Sequence, residues 1–165
     1  MEKSNRMDKV NYYLRLAEVA LERSTCSRRN YGAVLVKNDE IIATGYNGAP
    51  RGRRNCNDLS YCMREKLNIP RGERYEMCRS VHAEANAIIS AERSKMMGST
   101  MYLAGKNAET QELETDVSSC AMCKKLIINA GIKMVIIRNG KDKFTSINVS
   151  DWVYNDDSIT GETGY

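Results

Sequence analysis

Apolar residues recur at helical spacing near the start of the chain. Over 7–23, MDKVNYYLRLAEVALER, the positions Val10, Tyr13, Leu14, Ala17, Ala20 and Leu21 share one face, which predicts an amphipathic helix. The pattern then changes period. YGAVLVKNDEIIATGYNG, 31–48, reads as a hairpin with strands Ala33–Lys37 and Glu40–Gly45 joined by Asn38-Asp39. Residues 47–79 carry Gly, Arg, Asn, Cys and both prolines, and predict a long, mostly irregular segment. A stretch of that length inside a compact domain needs a functional reason or a metal to hold it.

Helical spacing returns over Val81–Lys95, with Ser80 as the expected N-cap. STMYLAG predicts a short strand, and AETQELETDVSS an acidic polar loop. CAMCKKLIINAG predicts a helix closed by Gly131, the favoured residue just past a helix end. IKMVIIRNG is apolar enough for a strand buried on both faces. From Lys141 the chain is polar and low in pattern. The order is helix, strand, strand, helix, strand, helix, strand, with no internal repeat. It predicts a single α/β domain over 1–165, with a Cys- and Arg-rich insertion at about 47–79. The strand–helix–strand run over 99–138 favours a partly parallel sheet, and the hairpin adds an antiparallel pair.

Charge narrows the ligand only slightly. Lys plus Arg number 25 and Asp plus Glu 21, a net charge of +4 that suits a phosphorylated small molecule and is too weak to argue for nucleic acid. No stretch approaches the roughly 20 apolar residues of a membrane span. The first residues lack the apolar core of a signal peptide, so a cytoplasmic protein without a membrane partner is expected. Six cysteines in a reducing compartment are then metal ligands or buried thiols rather than disulfides.

His82 is the only histidine. Taken alone it reads as a satisfied polar group, and Cys120-x-x-Cys123 alone reads equally as a redox pair, buried thiols or zinc ligands. Together they make three ligands, the set a catalytic zinc uses while leaving one position open. Both segments place these ligands at a helix start, where free N–H groups and the helix dipole favour thiolate. Glu84 stands two residues after His82. On a regular helix such positions point about 200° apart, so both reach one site only at the helix end. Glu84 is then the catalytic proton shuttle beside the metal and not a ligand.

His82-Ala83-Glu84 followed by Ser119-Cys120-Ala121-Met122-Cys123 resembles the H-x-E and P-C-x-x-C pair of zinc nucleobase deaminases. NYGAVLVKNDEIIATGYNGAPRGRRNC, 30–56, is similar to the deoxycytidylate deaminase branch of the cytidine/deoxycytidylate deaminase superfamily. The resemblance runs from the first helix to the last strand. It implies a three-layer α/β/α fold with a mixed central sheet of about five strands, and hydrolytic deamination of a deoxycytidine nucleotide, dCMP to dUMP and ammonia, by zinc-activated water. It also implies substrate contacts at Asn47 (the deoxyribose), Ala83 and Ala33, with Arg28 or one of Arg51, Arg53, Arg54, Arg64, Arg71, Arg74 and Arg79 for the phosphate. Possible dCTP and dTTP effectors and a homo-oligomer, commonly a hexamer, come from the same source. So does a possible second, structural zinc. Some relatives hold one with cysteines matching Cys26 and Cys56, and Cys62 and Cys78 would complete four thiolates here.

Two departures stand out: Ser119 replaces the family's proline, and the acidic loop before it is longer. The alternative readings are a nucleic-acid base deaminase of the tRNA adenosine type and a relative that binds nucleotide or metal without catalysis. A redox dithiol at Cys120 and Cys123 leaves His82 and Glu84 unexplained.

Overall fold

A five-stranded sheet in the order β2-β1-β3-β4-β5 organises the chain. The structure is a computed structural model and describes residues 5–155. Its strands are β1 (Arg29–Lys37), β2 (Glu40–Tyr46), β3 (Thr100–Asn107), β4 (Met134–Gly140) and β5 (Lys143–Asn148). Only β3 and β4 run parallel; the other neighbours are antiparallel. The mixed sheet agrees with expectation, including the parallel pair across 99–138.

Alternation along the central strands separates two apolar layers. Val34, Val36, Tyr102, Ala104 and Ile136 face α1 (Lys9–Leu21), which lays Tyr13, Leu14, Ala17 and Leu21 onto them. Ala33, Leu35, Met101, Leu103, Val135 and Ile137 face the opposite layer. That layer holds α3 (Ala83–Ile89) and α5 (Ala121–Asn129), with Trp152 of α6 (Val149–Asn155) packed into the same cluster. Burial on both faces explains why β1 and β4 read as continuous apolar runs. A buried cation crosses between elements: Arg138 of β4 is 1% exposed and donates to Glu18 (2.7 Å) and Asn11 (2.6 Å) of α1.

The hairpin turn falls where the sequence places it. Asn38 and Asp39 have φ of 52° and 64°, the paired left-handed conformation that suits a tight two-residue hairpin. The helix expected over Val81–Lys95 differs in two ways. It begins at Ala83, because Val81 is extended and exchanges two backbone hydrogen bonds with Gly48. His82, not Ser80, is therefore the N-cap position. It also ends at Ile89, where the Ser90 hydroxyl bonds back to the Asn86 carbonyl (2.8 Å); the short α4 (Arg93–Met96) follows. The polar run after Lys141 is not patternless coil. It forms β5 and α6. β5 is an edge strand whose side chains are almost all exposed, so no alternation marks it. The rest of the C-terminal stretch, 156–165, lies outside the described residues, so the expected single domain over 1–165 is described over 5–155.

The 47–79 segment is irregular, as expected, with single helical turns and a four-residue α2 (Met63–Lys66). Its organiser is Arg64, 4% exposed, which donates to the carbonyls of Pro70, Glu73 and Arg74 at 2.6–2.9 Å. The same guanidinium lies 4.3 Å from the centre of the Tyr75 ring. Among the described residues no helix is long and apolar enough to cross a membrane.

One glycine sets the height of α3 above the sheet. A Cβ at Gly45 would stand 2.3 Å from the Ala83 carbonyl oxygen and 2.4 Å from the Ala87 nitrogen. Helix and strand backbones thus touch directly under the first turn of α3. Through that contact the hairpin fixes the position of His82.

Candidate active site

Three ligand atoms converge where α3 and α5 begin. His82 Nδ1 lies 3.5 Å from Cys120 Sγ and 3.4 Å from Cys123 Sγ. Among the described residues this is the only group of three His, Cys, Asp or Glu ligands whose atoms all lie within 4.8 Å of one another. Tetrahedral zinc, with Zn–S near 2.3 Å and Zn–N near 2.0–2.1 Å, sets its nitrogen and sulfur ligands about 3.5 Å apart. The cluster already has that dimension, so its residues fit the metal.

Local backbone explains the convergence. Cys120 occupies the N-cap of α5, and its sulfur accepts from the Cys123 N–H at 3.5 Å. Cys120, not Ser119, therefore caps the helix. Ser119, 4% exposed, is buried in the turn that enters the helix. Both helix starts lie at the cluster, and positive potential at a helix N-terminus favours thiolate there.

Without counting a metal, the cluster is an internal ion pair. Hydrogen bonding from Cys123 pulls the Cys120 thiol down to about 4, and the bond to His82 adds to this. Burial pulls the His82 imidazole down, but hydrogen bonds to Cys120 and Cys78 outweigh it and hold the ring up at about 10. Cys123 is pushed up, first by its hydrogen bond to the Cys120 sulfur and then by burial. Glu84 is 5% exposed, and burial raises its carboxyl while the charge on His82 opposes the rise. A carboxyl raised in this way holds a proton more readily than an exposed glutamate, which suits a group that must take and return one.

The cluster opens into a cavity of about 180 Å³, many times what one water needs. His82, Glu84 and Cys120 are among its lining residues. Asn47 and Arg28 line it; Ala33 and Ala83 do not. Both alanines are fully buried in the core layer under α3, with their side chains turned to packing. Asn47 is 6% exposed, and its side chain is largely committed: the oxygen accepts from Ser24 (2.6 Å) and the Tyr31 N–H (2.8 Å), and the amide donates to Arg29 O (2.8 Å). One amide hydrogen is left.

Of the arginines considered from sequence, Arg28, Arg64 and Arg71 reach the cavity; Arg51, Arg53, Arg54, Arg74 and Arg79 do not. Arg29, Tyr31 and Tyr75 also line it and carry no sequence signal of doing so. Arg29 sits in a run that reads as the entry to a strand. Tyr75 meets the His82 ring edge-on at 4.9 Å and is braced from behind by Arg64. Cys26, Cys56, Cys62 and Cys78 line a second, smaller cavity next to the first.

With this geometry established, likeness to known proteins is informative. Residues 7–139 match the cytidine and deoxycytidylate deaminase zinc-binding region. The chain belongs to that deaminase family. It is 37% identical over 126 residues to a deoxycytidylate deaminase of Schizosaccharomyces pombe, covering 76% of this chain but only 35% of that one. It is 36% identical over 137 residues to the deoxycytidylate deaminase of Mycobacterium phage D29, covering 80% of this chain and 95% of that one. Among solved structures, the dCMP deaminase of cyanophage S-TIM5 in complex with dCMP and dUMP superposes with a TM-score of 0.55 at 25% identity, over 94% of this chain and 93% of the other. A cytidine deaminase from Burkholderia pseudomallei, 18% identical with a TM-score of 0.56, shares the fold. These matches establish the family and the deaminase fold, and with the His/Cys cluster they make zinc the metal of the site.

The ion pair has a measurable consequence. At pH 7 Cys120 is already a thiolate, whereas His82 and Cys123 each hold a proton that a metal must displace. Zinc binding is expected to release about two protons, so affinity rises steeply with pH between about 6 and 8. Calorimetric titration in buffers of different ionisation enthalpy reads this number directly. Release of none would show that the ligands are preset as thiolates and neutral imidazole.

Proposed function

We propose that the chain is a zinc-dependent hydrolase that converts dCMP to dUMP and ammonia. The observation that carries this reading is the zinc-ligand spacing of His82, Cys120 and Cys123 beside the buried Glu84, in a cavity that arginines also line. The relatives named deoxycytidylate deaminase support the choice of nucleotide. Zinc held by His82, Cys120 and Cys123 supplies Lewis acidity that makes water a nucleophile near neutral pH.

Glu84 moves the protons. Its carboxylate accepts one from the attacking water and returns it to the departing amine. Burial suits both directions, because it keeps the neutral form within reach. The N–H groups at the start of α5 polarise bound groups near C4 of the ring, and Ala83 contributes through its backbone at the start of α3. Ala33 packs beneath that turn. Asn47 offers its remaining amide hydrogen to the deoxyribose, and the arginines that line the cavity, Arg28 and Arg71 among them, are the candidates for the phosphate. Tyr75 walls the His82 side.

The four remaining cysteines support a second, structural zinc. Cys26, Cys56, Cys62 and Cys78 line one small cavity within a segment poor in apolar residues. A zinc there would draw the sulfurs into a closed tetrahedron and tie 47–79 to the turn after α1. We read 47–79 as an insertion into one domain, acting in the cytoplasm as a homo-oligomer, with dCTP and dTTP as candidate effectors by family resemblance. Metal analysis of purified protein is expected to give two zinc ions per chain, falling to one on Cys62→Ser with deamination kept. One zinc in the wild type removes the structural site and leaves the catalytic one.

Glu84→Gln tests the activity. It keeps the size and loses the titratable group. Ammonia release from dCMP is expected to fall by about 10²- to 10⁴-fold with the zinc content and dCMP affinity unchanged. Wild-type turnover of an RNA hairpin but not of dCMP would favour a base deaminase acting on nucleic acid. Binding of dCMP without ammonia release in the wild type would favour a non-catalytic relative.

A further inference from the structure

Two segments far apart in the chain meet beside the cavity that Arg71 lines. Arg71 lies in the 47–79 insertion and Asp116 in the long acidic loop. They form an ion pair, and the other guanidinium nitrogen reaches the Asp116 carbonyl at 3.4 Å. The loop is anchored on both sides of the contact. Upstream, Glu114 N–H bonds to the Gly105 carbonyl (2.8 Å); downstream, Val117 is buried in the core. Arg71 is followed by Gly72, whose φ of 90° leaves open space around it. Both side chains of the pair stay substantially exposed, at 43% and 59%. Solvated pairs of this kind contribute little to stability and are exchanged easily.

The surroundings show what could be exchanged. The Tyr31 phenol lies beside both Arg29 and Arg71. Its ring rests on Gly105, where a Cβ would stand 2.6 Å from a ring carbon, so the two strands hold it in place. Arg29 is paired with Glu114 at 3.7 Å. Arg64 is committed to three carbonyls, and Arg28 to Glu65 at 2.8 Å on the other flank. Around Tyr31, therefore, two guanidinium groups are each held by a carboxylate of the acidic loop.

We propose that Arg71 and Asp116 form a displaceable latch in which the substrate's 5′-phosphate replaces the Asp116 carboxylate on Arg71. This rests on the dCMP reading above and deepens it. A phosphate dianion binds a guanidinium through two parallel N–H···O bonds, which a single carboxylate held by a loop matches less well. A nucleoside without a phosphate brings nothing to take Arg71 from Asp116. Arg71 thereby favours the phosphorylated substrate, and Asp116 tempers that preference by competing with the phosphate. Arg71 is a binding residue and Asp116 its internal competitor.

Steady-state ammonia release by the zinc-loaded full chain tests this, with dCMP and deoxycytidine compared for wild type, Arg71→Gln, Arg71→Lys, Asp116→Asn and Arg28→Gln. Arg71→Gln is expected to raise KM for dCMP about tenfold or more, the loss of one charge-assisted contact. Its kcat and its activity on deoxycytidine stay unchanged, and Arg71→Lys recovers part of the loss. Asp116→Asn is expected to lower KM for dCMP, because the competitor is gone. If the wild type deaminates dCMP but Arg71→Gln leaves KM unchanged, the latch is overturned while the activity stands. A rise in KM on Asp116→Asn would make Asp116 a brace for the cavity and also overturn the latch. So would a loss confined to Arg28→Gln. A wild type inert toward dCMP would overturn the proposed activity and the latch with it.

Discussion

Everything at the site depends on two helices beginning side by side over one sheet face. The backbone contact between Gly45 and the first turn of α3 fixes one start, and Cys120 as N-cap fixes the other. Neither helix is long. Their contribution is position: each brings its ligands to the end where N–H groups are unpaired and the potential is positive. Three side chains that would repel a metal if scattered or protonated are thus held at metal-ligand spacing. The contacts of the His82 ring with both sulfurs, at 3.4–3.5 Å, hold that arrangement.

The same geometry separates ligation from proton transfer. His82 sits at the N-cap position, where the backbone is still extended, and Glu84 one turn-step further on is already helical. Two residues that would point apart along a regular helix therefore approach the same region from different sides. Burial does the rest. It raises the Glu84 carboxyl, and the cavity that Glu84 lines with His82 and Cys120 gives substrate access to the metal side.

Much of this was legible in the sequence, for physical reasons that can be named. His82, Glu84, Cys120 and Cys123 are rare residue types at a spacing that one chemistry explains. β1, β3 and β4 are buried on both faces, so their apolar runs announce them. β5 is not, because an exposed edge strand has no inside to alternate with. The late start of the helix expected over 81–95 depended on Val81 pairing with Gly48, a contact between residues more than thirty positions apart that no local pattern carries. Arg64 illustrates the same limit. A lone arginine in a polar stretch reads as solvated, and only the folded loop shows it buried under three carbonyls and stacked on Tyr75. Ala33 and Ala83 followed the family resemblance, yet their side chains serve the core.

The account stands or falls on where the metal goes. Anomalous scattering at the zinc edge from crystals of the zinc-loaded protein locates it directly. The expected peak lies about 2.3 Å from Cys120 Sγ and Cys123 Sγ and about 2.0–2.1 Å from a His82 ring nitrogen, with the Glu84 carboxylate beyond bonding distance. No peak at that point, or one with Glu84 bound as a ligand, would contradict it.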